Sequence, residues 1–516
     1  MHWADVLADT LLKDSRRQVL ATGITPSGPI HIGNMREILT TDAVYRSVIE
    51  KGADAEFIYI ADDFDPLRKV YPYLASSYEQ YVGMPISDIP CPCSKHESYA
   101  DHYLSVFLNS LTEVGVKPHV YRASHMYKKG EYGESIRIAL DNTKKIRDII
   151  ETISKRQLPK NWLPFNIRCT QCKRMNKAQP VLYNFPIIEY KCECGYEGSV
   201  DIREGGVGKL PWRIDWPARW KMLSVTFEPC GKDLATVGGA RDTGARIVED
   251  VFQYPHPALL VYEFILLKGK GAMHSSKGTA LSSEQMLKMT PPEVLRFLLM
   301  NNQPNKHLTF DTGLGILNLV DEYDKIERVY FGADEETKGM KDLEKTYELS
   351  QPYSIPKKLP YQLPYRHLVT LIQIAPSWNK IKTILQRTGQ LTQKLSKEDD
   401  ERLKHRCAHV QYWLKHYAPD MVKFKIFTKL PPITLEPTQK TFLKKFLPCI
   451  PSLTWTAEAI HNTIYEIAET NNIPINTAFS ALYQIILGQK KGPRAGYFLS
   501  NLDKSFITQR VEEALK

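Results

Sequence analysis

Three features of the sequence predict an α/β fold with a doubly wound parallel sheet, a zinc-binding insertion and an all-α C-terminal domain. Strand-like segments alternate with helical ones through the first 150 residues, cysteines pair up between residues 166 and 200, and helical periodicity dominates from Asp311 onward. With 516 residues the chain exceeds what one core can organise, so several domains are expected.

The first strand is "RQVLATGI", a short apolar run. It leads through the Pro/Gly-rich turn "TPSGPIHIG" into a helix, where Ile38, Tyr45, Val48 and Ile49 recur on one stripe. "AEFIYIADD" and "KPHVYRAS" supply further strands, so residues 1–165 read as the first half of a Rossmann-like catalytic domain. Residues 166–200 form a zinc-knuckle insertion, and residues 201–310 resume the α/β pattern with "HPALLVYEFILLKGK" as a strand. Two short helices follow. Ser282 and Gln285 form a capping box flanked by Leu281 and Met286, and Thr290-Pro291-Pro292-Glu293 opens the second helix. Residues 311–350 read as a helical connection and linker, with the linker character running through "ADEETKGMKDLEKTYELSQPYSIPKKLPYQLP". Residues 351–516 carry amphipathic helices that suggest a bundle.

Charge divides the chain unevenly. Residues 351–516 hold 24 Lys and Arg against 12 Asp and Glu, whereas residues 1–350 hold 44 against 46, so the whole +10 excess comes from the last third. A basic helical domain on a neutral body suits a nucleic-acid backbone, although a lysine-rich helical surface has the same composition. The first residues carry Asp5, Asp9 and Asp14, unlike a signal peptide, and the most apolar run is short and contains Glu263, so a cytoplasmic protein with no membrane span is expected.

In such a compartment the nine cysteines read as ligands or packing residues rather than disulfides. Cys169-x-x-Cys172 and Cys192-x-Cys194 sit in two small turns nineteen residues apart, the arrangement that gives tetrahedral zinc four soft donors. "CPCSKHESYADH" offers a second set, Cys91, Cys93, His96 and His102. Its two histidines lie six apart, so one regular helix cannot bring them together and a turn must separate them. Cys230, Cys407 and Cys449 are isolated and read as packing residues.

His31 stands where strand, turn and helix meet. The free N–H groups and positive dipole end of such a helix suit a phosphate chain, to which His31 would donate, while Gly33 would let a flat base approach the backbone. Alone, "HIG" reads more readily as a satisfied loop histidine beside a core. Downstream, "GKGAMHSSKGTALSS" places Lys277 in a polar loop from which it can reach a triphosphate. The pair describes adenylyl transfer from ATP.

"PSGPIHIGN" and "MHSSKG" resemble the two signature sequences of class I aminoacyl-tRNA synthetases. Together with "DDFDPLRK", "WRIDWPARW", "GKDLATVGGARDTG" and "GPRAGYFLSNL", they make nearly the whole chain similar to the class I lysyl-tRNA synthetases of archaea and some bacteria. The resemblance implies activation of lysine with ATP, Mg2+ on the triphosphate, and transfer to the 3′ end of tRNA(Lys), with residues 351–516 as the anticodon-binding domain. It implies an ATP site of Gly28, His31, Gly33, Asn34, Gly238, Gly239, Asp242, Ser275, Ser276 and Lys277, with His31 and Lys277 catalytic. Two positions depart from the family pattern: Ala272 replaces the second signature's first lysine, with Lys270 nearby, and Leu234 replaces a histidine after "GKD".

A lysine substrate needs an acceptor for its ε-ammonium at the end of an apolar slot. Asp62, Asp63 and Asp65 follow the second strand at its carboxyl end, where open α/β sheets bind ligands, and Trp212 and Trp216 could wall the slot. The same aspartates could instead cap a helix or pair with Arg68 and Lys69.

Overall fold

The computed structural model describes residues 1–516 apart from Ser15, Lys270, 273–280 and 336–341, and the chain divides into two compact units. The first comprises residues 1–287, 292–310 and 332–355; the second comprises residues 288–291, 311–331 and 356–516.

The first unit is built on a parallel sheet. Strand β1 (Gln18–Ile24) pairs in parallel with β2 (Ala55–Ala61), in the register Gln18↔Ala55 to Ile24↔Ala61, and β2 pairs in parallel with β3 (His119–Arg122). On the other flank of β1, single parallel bridges join Leu20 to Phe227 and Phe227 to Ala258, and the parallel pair Cys230–Gly231 with Val261–Tyr262 prolongs that side. The chain therefore winds outward from β1 in both directions. The reversal point lies between β1 and the Phe227–Gly231 segment, and the crevice above it is the general ligand position in such sheets.

The strands are apolar because both faces are covered: Leu20, Ala21, Ile58 and Tyr59 are all but inaccessible. Helix α1 (Ile32–Glu50) follows β1 and is buried over most of its circumference, through Ile32, Met35, Ile38, Leu39, Val44 and Val48. The stripe expected here is only partly buried, since Ile49 is 44% exposed in the last turn while Ile38 and Val48 are fully covered. Arg36 is buried on this helix because its guanidinium donates to the carbonyls of Glu263, Pro304 and Lys306 at 2.5, 2.9 and 2.8 Å.

The apolar run expected as one strand is two. Val261–Tyr262 belongs to the parallel sheet, whereas Ile265–Leu267 joins Leu308–Phe310 in parallel and Gly271–Ala272 antiparallel. The break falls at Glu263, whose carbonyl accepts from Arg36 and whose carboxylate meets Lys232 at 2.6 Å. The Ser282–Gln285 capping box forms in both directions, at 3.1 and 3.2 Å. Part of the linker stretch is ordered helix: Leu343–Ser350 buries Leu343, Tyr347 and Leu349 in the first unit.

The insertion is an antiparallel three-stranded sheet, Ala178–Asn184, Ile187–Cys192 and Glu197–Asp201, rooted on the short pair Asn166–Ile167 with Gly208–Lys209. The second unit contains no strand among its described residues. Its helices pack around Phe442, Phe446, Ile460, Ile464, Leu482, Ile486, Phe498 and Ile507. The buried Arg406 guanidinium binds Asp324 through two bonds of 2.9 and 2.7 Å, fastening Gly315–Tyr330 to Lys397–His416.

Candidate active site and metal centres

His31 is the N-cap of α1. Its Nδ1 accepts the Gly33 N–H at 3.0 Å while the Asn34 side chain accepts the His31 N–H at 3.3 Å, a reciprocal box built with histidine in place of serine. Because a backbone N–H points at Nδ1, the neutral ring carries its proton on Nε2, which makes that edge a donor. Gly33 is also confined within the protein: a Cβ there would stand 2.7 Å from the His31 ring. Gly28 is equally confined, under the Tyr73 hydroxyl. His31 also bridges Ser282, and the Ser283 N–H donates to Ile30 at 3.0 Å, so the chain leaving the second signature is tied to the first. Lys270, Ser275, Ser276 and Lys277 lie outside the described residues.

The other expected ATP residues form a local turn. Gly238 takes φ +75° and donates its N–H to Asp242 at 2.9 Å, and Gly239 caps the helix Ala240–Asp250. Asp242 thus holds the glycine turn open at the head of that helix.

The three aspartates after β2 are already neutralised from within. Asp63 receives Arg122 Nε and the Ser124 N–H and hydroxyl, each at 2.7 Å. Asp62 and Asp65 share the Lys209 ammonium, which reaches Asp65 at 2.6 Å, and Arg219 adds a bond of 2.8 Å to Asp62. Asp215 joins the same network through Lys209 and Arg219, and the Thr25 hydroxyl donates to Asp65 at 3.0 Å. Against the burial that opposes ionisation, Arg219 and Lys209 hold Asp62 down at about 2. The partners are thus Lys209, Arg219 and Arg122, not Arg68 and Lys69. Trp212 and Trp216 stack with centroids 5.0 Å apart, and Trp216 meets Trp220 at 4.9 Å.

One carboxylate at the reversal point has no such partner among the described residues. Glu37, one turn after Gly33 on α1, accepts the Gly23 N–H from the end of β1 at 3.1 Å and the Tyr262 hydroxyl at 2.7 Å. No Lys, Arg or His among the described residues pairs with it. Burial, with Glu228 and Asp233 nearby, pushes its carboxyl up to about 8 despite the Tyr262 bond. Nothing in the sequence around Glu37 marks it as a site residue. Its i+4 relation to Gly33, which places it on the same face as the helix mouth, is the one signal that could have singled it out.

Both cysteine clusters close. Cys169 and Cys194 sulfurs are 3.8 Å apart and those of Cys172 and Cys192 are 3.7 Å apart, the separations that four ligands 2.3 Å from one tetrahedral ion require, about 3.8 Å. In the second cluster, Cys91 Sγ lies 3.4 Å from His96 Nδ1 and 3.7 Å from His102 Nδ1, with Cys93 Sγ at 3.4 and 3.3 Å. The required turn is present: Ser98 caps the helix Tyr99–Glu113, leaving His96 before the helix and His102 in its first turn. Each set can hold a metal ion.

Comparison with known proteins places these features. The family described as tRNA synthetases class I (K) matches residues 1–353, and an anticodon binding domain matches residues 381–515. A lysine--tRNA ligase of Methanosarcina barkeri is 44% identical, over 100% of this chain and 98% of its own length. Those of Picrophilus torridus and Archaeoglobus fulgidus are each 41% identical, over 100% of this chain and 99% and 100% of theirs.

Proposed function

The chain belongs to the class I lysyl-tRNA synthetases, and from that premise we infer that it is a lysine--tRNA ligase, forming lysyl-adenylate from lysine and ATP and transferring the lysyl group to the 3′ end of tRNA(Lys). The observation that carries the lysine assignment within the site is Glu37. It is a partly buried carboxylate at the reversal point, oriented by Gly23 and Tyr262, and without a cation among the described residues. A substrate ε-ammonium supplies the missing charge and converts an unfavourable buried carboxylate into a pair. Asp62, Asp63 and Asp65, saturated by Lys209, Arg219 and Arg122, serve instead to shape the floor of the crevice, with the Trp212–Trp216 stack beside them.

In the first step the lysine carboxylate attacks the α-phosphorus of Mg–ATP and pyrophosphate leaves. His31, fixed by the cap, donates to phosphate oxygens through Nε2–H, Asn34 keeps the cap closed, and Lys277 counters charge developing on the leaving group. Gly238, Gly239 and Asp242 form the turn that receives adenosine. In the second step a terminal ribose hydroxyl of the tRNA attacks the adenylate carbonyl and AMP leaves. No protein nucleophile takes part. Zinc suits both clusters, four sulfurs in one and two sulfurs with two imidazole nitrogens in the other, and supplies structural closure of segments with little core of their own. No described helix is long and apolar enough to cross a membrane, and we place the enzyme in the cytoplasm with its tRNA.

ATP–pyrophosphate exchange measured with each of the amino acids, with and without tRNA, tests the assignment. Lysine should drive exchange best; a higher kcat/KM for another amino acid would overturn the substrate while leaving the synthetase class standing.

A further inference from the structure

The turn between β1 and α1 is gripped from outside by two tyrosines. The hydroxyls of Tyr73 and Tyr99 both donate to the Ser27 carbonyl, at 3.0 and 2.7 Å. Their rings belong to one aromatic group: Tyr99 meets Tyr103 with centroids 5.1 Å apart, and Tyr73 stacks on Tyr71 at 5.5 Å. Neither hydroxyl has a part in the chemistry of His31 and Lys277.

The grip acts on the far side of the same peptide. The Ser27–Gly28 bond is trans, so its carbonyl and its N–H point in opposite directions. Two donors on the carbonyl therefore aim the Gly28 N–H away from the tyrosines. Gly28 is buried, yet its N–H meets no acceptor among the described residues. A buried backbone donor without a partner is rare and marks a place where a ligand oxygen completes the bond. Only glycine fits beneath the two rings, because a Cβ on Gly28 would collide with the Tyr73 hydroxyl.

Tyr99 is itself pinned. It opens the helix Tyr99–Glu113, whose Ser98 cap accepts the Asp101 N–H at 3.1 Å, and its own N–H donates to the Ile89 carbonyl at 2.9 Å. Asp101 meets Arg122 at 2.7 Å, and Arg122 also holds Asp63 just after β2. The metal-ligand cluster brackets the same point: His96 lies three residues before Tyr99 and His102 three after, with Cys91 two residues beyond Ile89. Closing those ligands on one ion fixes the chain on both sides of the tyrosine.

We propose that Tyr73 and Tyr99 are positioning residues for ATP: by clamping the Ser27 carbonyl they present the Gly28 N–H to a phosphate oxygen, and the Cys91–His102 cluster keeps Tyr99 in place. The proposal rests on the reading that the chain activates lysine with ATP. A phosphate oxygen suits this donor better than a base or ribose group, because bonds from a preset backbone N–H to an anion are the strong ones and the nearby N-terminus of α1 favours negative charge. The two hydroxyls back each other up. Losing one leaves the carbonyl held, whereas losing both frees the peptide to turn.

The test uses the full-length protein. Tyr73→Phe and Tyr99→Phe keep the rings and remove only the hydroxyls. Each alone should raise the ATP KM about threefold in lysine-dependent exchange, and the double variant about 30-fold or more, above the product of the two singles. Adenosine, which carries no phosphate, should inhibit exchange with its wild-type constant, and lysine affinity measured by calorimetry without ATP should not change. A merely structural loosening would move all three together. Cys93→Ser should cost one metal ion per chain and reproduce the loss confined to ATP. A double Phe variant with wild-type ATP KM, or losses shared by ATP, adenosine and lysine, would overturn the clamp; an ion lost from Cys93→Ser at an unchanged ATP KM would overturn the part given to the cluster. Wild-type protein without lysine-dependent exchange would instead defeat the ligase reading, and calorimetric ATP binding by the Phe variants would still decide the clamp.

Discussion

Lysine affinity should depend steeply on pH, and the dependence should vanish with Glu37. In the free protein the Glu37 carboxyl is pushed up to about 8 by burial and by the neighbouring Glu228, so at pH 7 it is mostly protonated. An ε-ammonium needs the ionised form. The sign follows: ionisation rises with pH through the folded pKa, so binding strengthens from pH 6 to pH 8 and levels off above. With a pKa of about 8, the ionised fraction is ~1% at pH 6, ~9% at pH 7 and ~50% at pH 8, so the lysine KM should fall about 50-fold between pH 6 and pH 8. Binding at pH 7 should release close to one proton, which calorimetry in buffers of different ionisation enthalpy would detect. Glu37→Gln keeps the shape and the contacts with Gly23 and Tyr262 within reach but removes the charge. Removing one partner of a buried pair costs about 3–5 kcal/mol, and the variant escapes about 1.4 kcal/mol of ionisation cost at pH 7, so the net loss of about 1.6–3.6 kcal/mol lowers kcat/KM for lysine roughly 15- to 440-fold. The variant's KM should also be flat from pH 6 to pH 8, while its KM for ATP stays near wild type. A wild-type lysine KM that does not change with pH, or a Glu37→Gln enzyme with normal kcat/KM, would refute this role for the carboxylate.

Lys277→Ala and His31→Ala should each slow lysyl-adenylate formation by about 100-fold in single-turnover assays, the size of one lost transition-state charge contact, and near-wild-type rates in both would remove them from the ATP site. Cys172→Ser should leave three ligands in the insertion, so metal analysis should find one zinc fewer per chain and the insertion should unfold at a lower temperature; an unchanged zinc content would rule out that cluster as the site. Lys209→Met strips Asp62 and Asp65 of their shared ammonium and should lower stability by about 3–5 kcal/mol in denaturant titrations. Adding Asp65→Asn should return part of that loss, and strict additivity of the two changes would deny that they act on one network.

What the chain declares locally, it declares early. The strand-turn-helix around His31, the Ser282–Gln285 box and the two Cys-rich turns depend on side chains a few residues apart, whose geometry is set by the backbone between them. Alternation of apolar segments likewise foretold the parallel sheet, because strands covered on both faces must be apolar throughout. The split of "HPALLVYEFILLKGK" into two sheets was hidden, since periodicity cannot register that Arg36, more than 220 positions earlier, draws on the Glu263 carbonyl in the middle of the run.

The same distinction governs the site. By itself the sequence marked the strand-turn-helix at His31 and the two cysteine clusters that could hold a metal, and for a lysine ammonium it pointed to the acids after the second strand, Asp62, Asp63 and Asp65. Only the tertiary structure shows that those acids are already paired and that a helix residue, Glu37, is a carboxylate without a described cation. Lys209 lies 147 positions from Asp62 and 144 from Asp65, and their meeting removes those carboxylates from the list of open acceptors. Tyr262 lies 225 positions from Glu37 and orients it without neutralising it. Whether a carboxylate is paired or waiting is a property of the charges that folding brings within a few ångströms, and Coulomb energy in a closed crevice depends on that distance rather than on separation along the chain.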